Sequence, residues 1–142
     1  MDRQERVAQL LYVARELGQK LVRELGGIPP FGVAVFEDGS EEGFLLTFYP
    51  RGQHPGAEFP ELVHFVENEM RRRAEAGAVA VAMVTEVASG NERAMAVQIE
   101  GRSGEHFLML YKYVKGLLGL NWSEGVSVGP TLFGSIYPSV TN

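Results

Sequence analysis

Glutamate and histidine side chains offer the most chemistry in this chain of 142 residues. Glu61, His64 and Glu67 follow one another at intervals of three, a spacing that places them on one side of a helix. Paired copies of Glu-x-x-His on facing helices can hold two metal ions in helical bundles. The other predicted helix carries no matching copy, and His64 falls away from the apolar stripe of its own helix. The pattern therefore indicates a solvated helix face, and we predict no metal site and no cofactor.

The remaining metal-binding chemistry is limited by composition. The chain has three histidines, His54, His64 and His106, and no cysteine. A tetrahedral site would have to combine histidine with carboxylate, and nothing in the spacing of the histidines brings them together. The missing cysteines also exclude disulfides and cysteine nucleophiles.

Carboxylates are the candidates for a general acid or base. Glu86, Glu100 and Glu105 lie in or beside apolar stretches, with Arg93 and Arg102 near them in the sequence. Because neither a nucleophile nor a substrate pocket can be identified with them, we interpret them as exposed or arginine-paired carboxylates. No catalytic residue is assigned, and we expect the chain not to be an enzyme.

An alternative interpretation places a pocket between the predicted sheet and the C-terminal segment. Its first candidates are Glu100, His106, Trp122 and Tyr137. The chain would then be a small-molecule-binding protein or a hydrolytic enzyme. The predicted strand register opposes this alternative, because it points Glu100 and His106 to opposite sides of the sheet.

Residues 28–39 read Ile-Pro-Pro-Phe-Gly-Val-Ala-Val-Phe-Glu-Asp-Gly, which resembles the first strand and turn of cytidine and purine deaminase-like proteins. Catalytic members of that family also need a His/Cys-x-Glu motif on the second helix and a later Pro-Cys-x-x-Cys motif, which bind zinc. The second predicted helix opens here with Glu58-Phe59-Pro60-Glu61, and no cysteine follows. Deaminase activity is therefore excluded.

The elements that position these side chains centre on a predicted β-meander. Three apolar runs, 79–87, 94–101 and 106–114, are separated by turn-forming residues that include Gly90 and Gly104. Short strands joined by glycine-containing loops are typical of antiparallel hairpins. We therefore expect three consecutive antiparallel strands.

The lengths of the loops predict which side chains share a face. A turn at Gly90-Asn91 pairs Ala82 with Ile99, whereas a two-residue or four-residue loop before His106 pairs Ile99 with Leu108. Cross-strand partners lie on the same face of a sheet. The face that carries Ala82 is called the first face below, and the face that carries Met83 is called the second face.

The second face is the predicted interface. In this register it carries an apolar group: Val81, Met83, Phe107, Met109 and Tyr111. Because a sheet face left to water is usually polar, we expect the C-terminal segment, a second subunit or a ligand to cover it. The leading hypothesis is a non-enzymatic protein-interaction module that forms a homodimer through these five residues and can also contact another protein.

The remaining elements complete an α+β fold. An apolar stripe predicts a helix over 2–25, a hairpin is predicted from strands 31–37 and 44–49, and a second helix over 60–76. We expect one domain over 1–142, with one mostly antiparallel five-stranded sheet in helix-β-β-helix-β-β-β order, two helices on one face and a Gly-rich C-terminal extension over 116–142. This order resembles roadblock or profilin-like domains, whose single sheet packs helices on one side. Roadblock proteins often form dimers and regulate partner proteins, so the resemblance implies an interaction role.

Charge and hydropathy limit the binding partners and the cellular location that we expect. The formal net charge of −5 argues against binding to nucleic acid or to an anionic membrane, because both need a basic field. No apolar run approaches the roughly 18 residues needed to span a bilayer, and the charged N-terminal residues do not form a secretory signal. We therefore expect a cytoplasmic protein.

Overall fold

A computed structural model describes residues 3–37, 43–129 and 131–137 of the chain. Three helices and seven strands lie in those residues, in the order α1 (Arg3–Leu25), β1 (Phe31–Phe36), β2 (Phe44–Phe48), α2 (Pro50–Gln53), α3 (Phe59–Glu75), β3 (Ala80–Ser89), β4 (Glu92–Gly101), β5 (His106–Gly116), β6 (Gly119–Trp122) and β7 (Val126–Val128). The α+β class is confirmed, as are the two long helices and the five main strands. The predicted turn at Asp38-Gly39 lies outside the described residues.

The strands form one antiparallel sheet in the order β2-β1-β3-β4-β5-β6, and β7 also pairs with β5. The prediction of five strands was too few. The chain reverses after Gly116, so that β6 returns along the end of β5 and β7 follows along its middle. The stretch over 131–137 is irregular.

The register of β3 against β4 is as predicted, but that of β4 against β5 is shifted by one residue. Ile99 lies opposite Phe107 rather than Leu108. The cause is the loop, because Gly101 N–H donates to the Glu105 carbonyl, so that Gly101 and Glu105 form the last pair of the hairpin and enclose a loop of three residues, 102–104. A shift of one residue moves every side chain of a strand to the other face. Phe107, Met109 and Tyr111 therefore lie on the first face.

Helix α1 covers the first face. Its buried apolar side chains are those of Leu10, Ala14 and Val22, which pack with Val84 and Ile99 in the first core. The helix ends at Leu25 because Gly26 adopts a φ of 79°. The Gly26 N–H donates to the Val22 carbonyl at 2.9 Å, as in a left-handed helix cap.

Helix α3 covers the second face, which corrects the prediction that both helices share one face. Its buried Val66 and Met70 form a second core with Ala34, Val81 and Met83. The reason is visible in β1, where five consecutive residues from Phe31 are buried. Strands of this kind are apolar on both sides and need a cover on each. The arrangement differs from the one-sided packing implied by the roadblock resemblance.

The outer edge of the sheet at β2 is covered by one side chain of α3. The Arg73 guanidinium donates to the Leu46 carbonyl at 2.7 Å and to the Thr47 carbonyl at 3.3 Å. It also lies 5.8 Å from the centre of the Phe48 ring and donates a hydrogen bond to the Glu69 carboxylate. These contacts connect the end of α3 to β2, the strand at the edge of the sheet. Among the described residues, no helix is long and apolar enough to cross a bilayer.

Candidate functional site

The five residues predicted to form an interface are divided between the two faces. Val81 and Met83 are completely buried in the second core under α3. Tyr111 is buried on the first face, and Phe107 and Met109 are half-buried there against the first core. Their contacts lie inside the folded chain, and they do not make one continuous outer surface.

Of the four candidate pocket residues, Glu100, His106 and Tyr137 lie on the second face, whereas Trp122 lies on the first face. Glu100 and His106 lie directly opposite each other on the second face, as the shifted register requires, with His106 exposed. Trp122 belongs to the first core, where its ring packs 4.6 Å from that of Tyr113. The Tyr137 hydroxyl donates to the Ala78 carbonyl at 2.7 Å, and burial is the main reason that its pKa is raised. The structure brings Glu100 and His106 together, but not Trp122 with them.

Gln98 is buried on the second face and binds the C-terminal segment over 131–137. Its side-chain oxygen accepts the backbone N–H groups of Leu132 and Phe133, each at 3.0 Å. Its amide group donates to the Phe133 carbonyl at 3.1 Å and to Glu100 at 3.0 Å. One side chain thus satisfies three backbone groups of the segment.

Glu100 continues this anchor. Its Oε1 accepts the Ile136 N–H at 3.0 Å and the Ser135 hydroxyl at 3.3 Å. Phe133 and Ile136 are buried in the second core beside it. Of the three covers considered for the second face, the C-terminal segment is therefore present over Gln98 and Glu100, and their polar groups position that segment.

A second polar cluster joins the ends of three strands. Arg93 donates to Glu86 Oε2 through Nη2 at 2.6 Å and Nε at 3.0 Å, and Tyr113 donates to Glu86 Oε1. Arg93 also donates to the Gly26 carbonyl at 2.7 Å. Burial, followed by the hydrogen bond to Glu86, raises the pKa of Tyr113. Since both Glu86 oxygens are engaged, the cluster connects β3, β4 and β5 to the end of α1.

The three histidines lie on different elements, with His54 following α2, His64 on α3 and His106 at the start of β5. The His54 ring stacks on Phe65 with 4.3 Å between ring centres, and His64 is exposed on α3. Within residues 3–37, 43–129 and 131–137, no three His, Asp or Glu side chains form a group that could hold a metal ion.

An apolar surface at the β5–β6 hairpin is left uncovered. Leu117 and Leu118 form the turn and are each 105% exposed relative to an extended reference. Val114 and Val126 are 61% and 60% exposed. These four residues are called the hairpin surface below. In the sequence, this turn is recognisable as two leucines between Gly116 and Gly119. These glycines do not form a phosphate-binding loop, because no Lys-Ser/Thr pair follows them.

A groove lies around Pro29 and Pro30, beyond the end of α1. One cavity of about 360 Å³ lies between the end of α1 and the Tyr49–Pro55 region, and a neighbouring cavity of about 350 Å³ extends towards Glu86. The two share Leu25, Pro29, Pro30 and Arg51 in their walls. They are called the proline groove below. The sequence did not predict it, because its walls come from separate parts of the chain.

No family model, curated protein or solved structure matches the chain. A functional assignment therefore depends on the surfaces and cavities described above.

Proposed function

We propose that the chain is a non-enzymatic protein-interaction module that forms a homodimer through the hairpin surface. The observation that carries this proposal is the complete exposure of Leu117 and Leu118. The homodimer is the association expected from the sequence, but the contact is placed on a different set of residues.

Nothing in the folded monomer accounts for leucine at these two positions. Two-residue hairpin turns favour Gly, Asn and Asp, which tolerate the required backbone conformations. Leucine supplies no turn preference, and here neither side chain gains burial. Transfer of a leucine side chain out of water is worth roughly 1.5–3 kcal/mol. A contact that buries Leu117 and Leu118 would recover that free energy.

The rest of the hairpin surface supports contact with a second copy. Val114 lies on the second face of β5, and Val126 of β7 pairs with Leu110 on the same face. The four side chains carry no charge, and Lys112, which lies between Leu110 and Val114 on this face of β5, is paired with Glu92. Apolar side chains can pack against a second copy of themselves, which is what a two-fold symmetric interface requires.

Sedimentation velocity across a concentration series tests the proposal. We expect the wild-type chain to dimerise at micromolar to tens of micromolar concentration. The double variant Leu117→Ser, Leu118→Ser should dissociate at concentrations on the order of 100-fold higher or more, because four buried leucines are lost per dimer. Circular dichroism should show an unchanged fold, since neither leucine contacts the cores.

The matched control is Leu46→Ser, which removes an exposed leucine on β2, at the opposite edge of the sheet from β6. It should dimerise like the wild type. A wild-type chain that remains monomeric at 100 micromolar, or a double variant that dimerises as tightly as the wild type, would contradict the proposal.

A further inference from the structure

We propose that the proline groove binds a small monocarboxylate with an apolar body, of the medium-chain fatty acid class. This site is distinct from the hairpin surface and does not depend on the homodimer.

The walls of the larger cavity of the groove are mainly apolar. This cavity is lined mainly by Leu21, Leu25, Pro29, Pro30, Tyr49 and Pro55. Two large apolar side chains at the groove, Leu25 and Phe59, are 61% and 53% exposed. Proline has a fixed φ, so this part of the wall is already ordered before a ligand arrives. The volume lies within the roughly 300–1,000 Å³ of ordinary ligand pockets.

Arg51 provides the single polar contact that such a ligand needs. It lies on α2 and lines both cavities, so its side chain stands at their junction. Arg72, Arg73 and Arg93 each bind a carboxylate of the protein. Arg51 has no hydrogen-bond or ion-pair partner within the described part of the chain. A guanidinium is planar and matches a carboxylate through two parallel hydrogen bonds.

The charges around the groove limit the ligand to one anionic group. Glu86 lies in the wall of the smaller cavity, where Arg93 and Tyr113 engage it. Glu24 adds negative charge near Tyr49, where burial first and Glu24 second raise the pKa of the tyrosine. A second carboxylate on the ligand would approach one of these groups and be repelled. The remainder of the ligand is therefore uncharged and apolar.

Calorimetric titration with decanoate, kept below its micellar concentration, tests the site. We expect decanoate to bind the wild-type chain, and decanol, which has the same chain length without the charge, to bind at least tenfold more weakly. Arg51→Gln should weaken decanoate binding by about tenfold to 100-fold, as expected for loss of a charge-assisted hydrogen bond. It should leave decanol binding unchanged.

The matched control is Arg72→Gln, which removes an exposed guanidinium on α3 away from the groove; it should bind decanoate like the wild type. Leu117→Ser, Leu118→Ser should also bind normally, which separates this site from the proposed interface. Absence of decanoate binding at millimolar concentration would overturn the inference. So would equal loss of affinity in Arg51→Gln and Arg72→Gln, or equal binding of decanoate and decanol.

Discussion

Gln98 and Glu100 show how single polar side chains organise a long-range contact. In the sequence they are polar residues on an otherwise apolar strand face. In the structure they are buried, and together they bind the backbone of residues 132, 133 and 136. Buried polar groups are nearly always hydrogen-bonded, because an unpaired group costs the free energy of its lost hydration. Gln98 and Glu100 can be buried because their hydrogen-bond partners, which lie over 30 residues later in the chain, replace the lost water.

Tyr113 leads to a prediction about alkaline pH. Burial and the hydrogen bond to Glu86 raise its folded-state pKa above the unfolded value of about 10. A raised pKa contributes stability that is fully present below the unfolded pKa and is lost as the pH rises through the folded pKa. We therefore expect the free energy of unfolding, measured with urea, to fall from about pH 10 upward. Tyr113→Phe should reduce that fall.

Part of the alkaline loss should remain in Tyr113→Phe, because the pKa of Tyr137 is also raised, mainly by burial. The control is Tyr12→Phe, which changes an exposed ring on α1. An alkaline profile of Tyr113→Phe identical to that of Tyr12→Phe would contradict the role given to the hydrogen bond with Glu86.

At the scale of elements, the loop between β4 and β5 sets which side chains share a face. The loop holds three residues, and Gly104 ends it with a φ of 102°. Three-residue hairpin loops characteristically place a left-handed residue at this point. The predicted loops of two or four residues both have the opposite parity, so they assigned Phe107, Met109 and Tyr111 to the wrong face.

Gly104→Ala should lower the free energy of unfolding by about 1–2 kcal/mol, because an L-residue resists positive φ. No atom lies within 4 Å of the added methyl group, so the effect isolates backbone strain. Urea denaturation measures it. The matched control is Gly56→Ala, which also meets open space but lies outside the left-handed region, and it should be neutral. Equal stabilities of the two variants would show that Gly104 does not hold the loop.

At the scale of the whole molecule, one sheet separates two cores. The first core lies under α1, and the second is completed by α3 and the C-terminal segment. Phe133 and Ile136 are 3% and 7% exposed, so the segment is part of the second core. Residues that follow the last strand thus contribute to the stability of the centre of the sheet.

Truncation after Gly129 should therefore lower the free energy of unfolding by about 3–6 kcal/mol, since two large apolar side chains leave the core. It should also increase the fluorescence of a dye that binds exposed apolar surface. A shorter truncation after Tyr137 retains the buried contacts of Phe133 and Ile136 and serves as the control. If both truncations unfold at the same urea concentration as the full chain, the segment is not part of the core.

The sequence alone was sufficient for the features that depend on local pattern. The periodicity of α1, the consecutive apolar residues of β1, and the turn at Gly90-Asn91 determined the α+β class, the main elements and the register of β3 against β4. The absence of cysteine and the single Glu-x-x-His motif determined the chemistry that is excluded. These features require only neighbouring residues and their preferred backbone conformations.

Tertiary structure decided where each apolar face finds its cover. The sheet places α1 and α3 on opposite faces, and burial of Phe133 and Ile136 adds the C-terminal segment to one of them. The same packing buries Val81, Met83 and Tyr111, half-buries Phe107 and Met109, and leaves Leu117, Leu118 and the proline groove open. A local apolar pattern indicates that a side chain is buried, but only the folded chain determines which neighbour covers it.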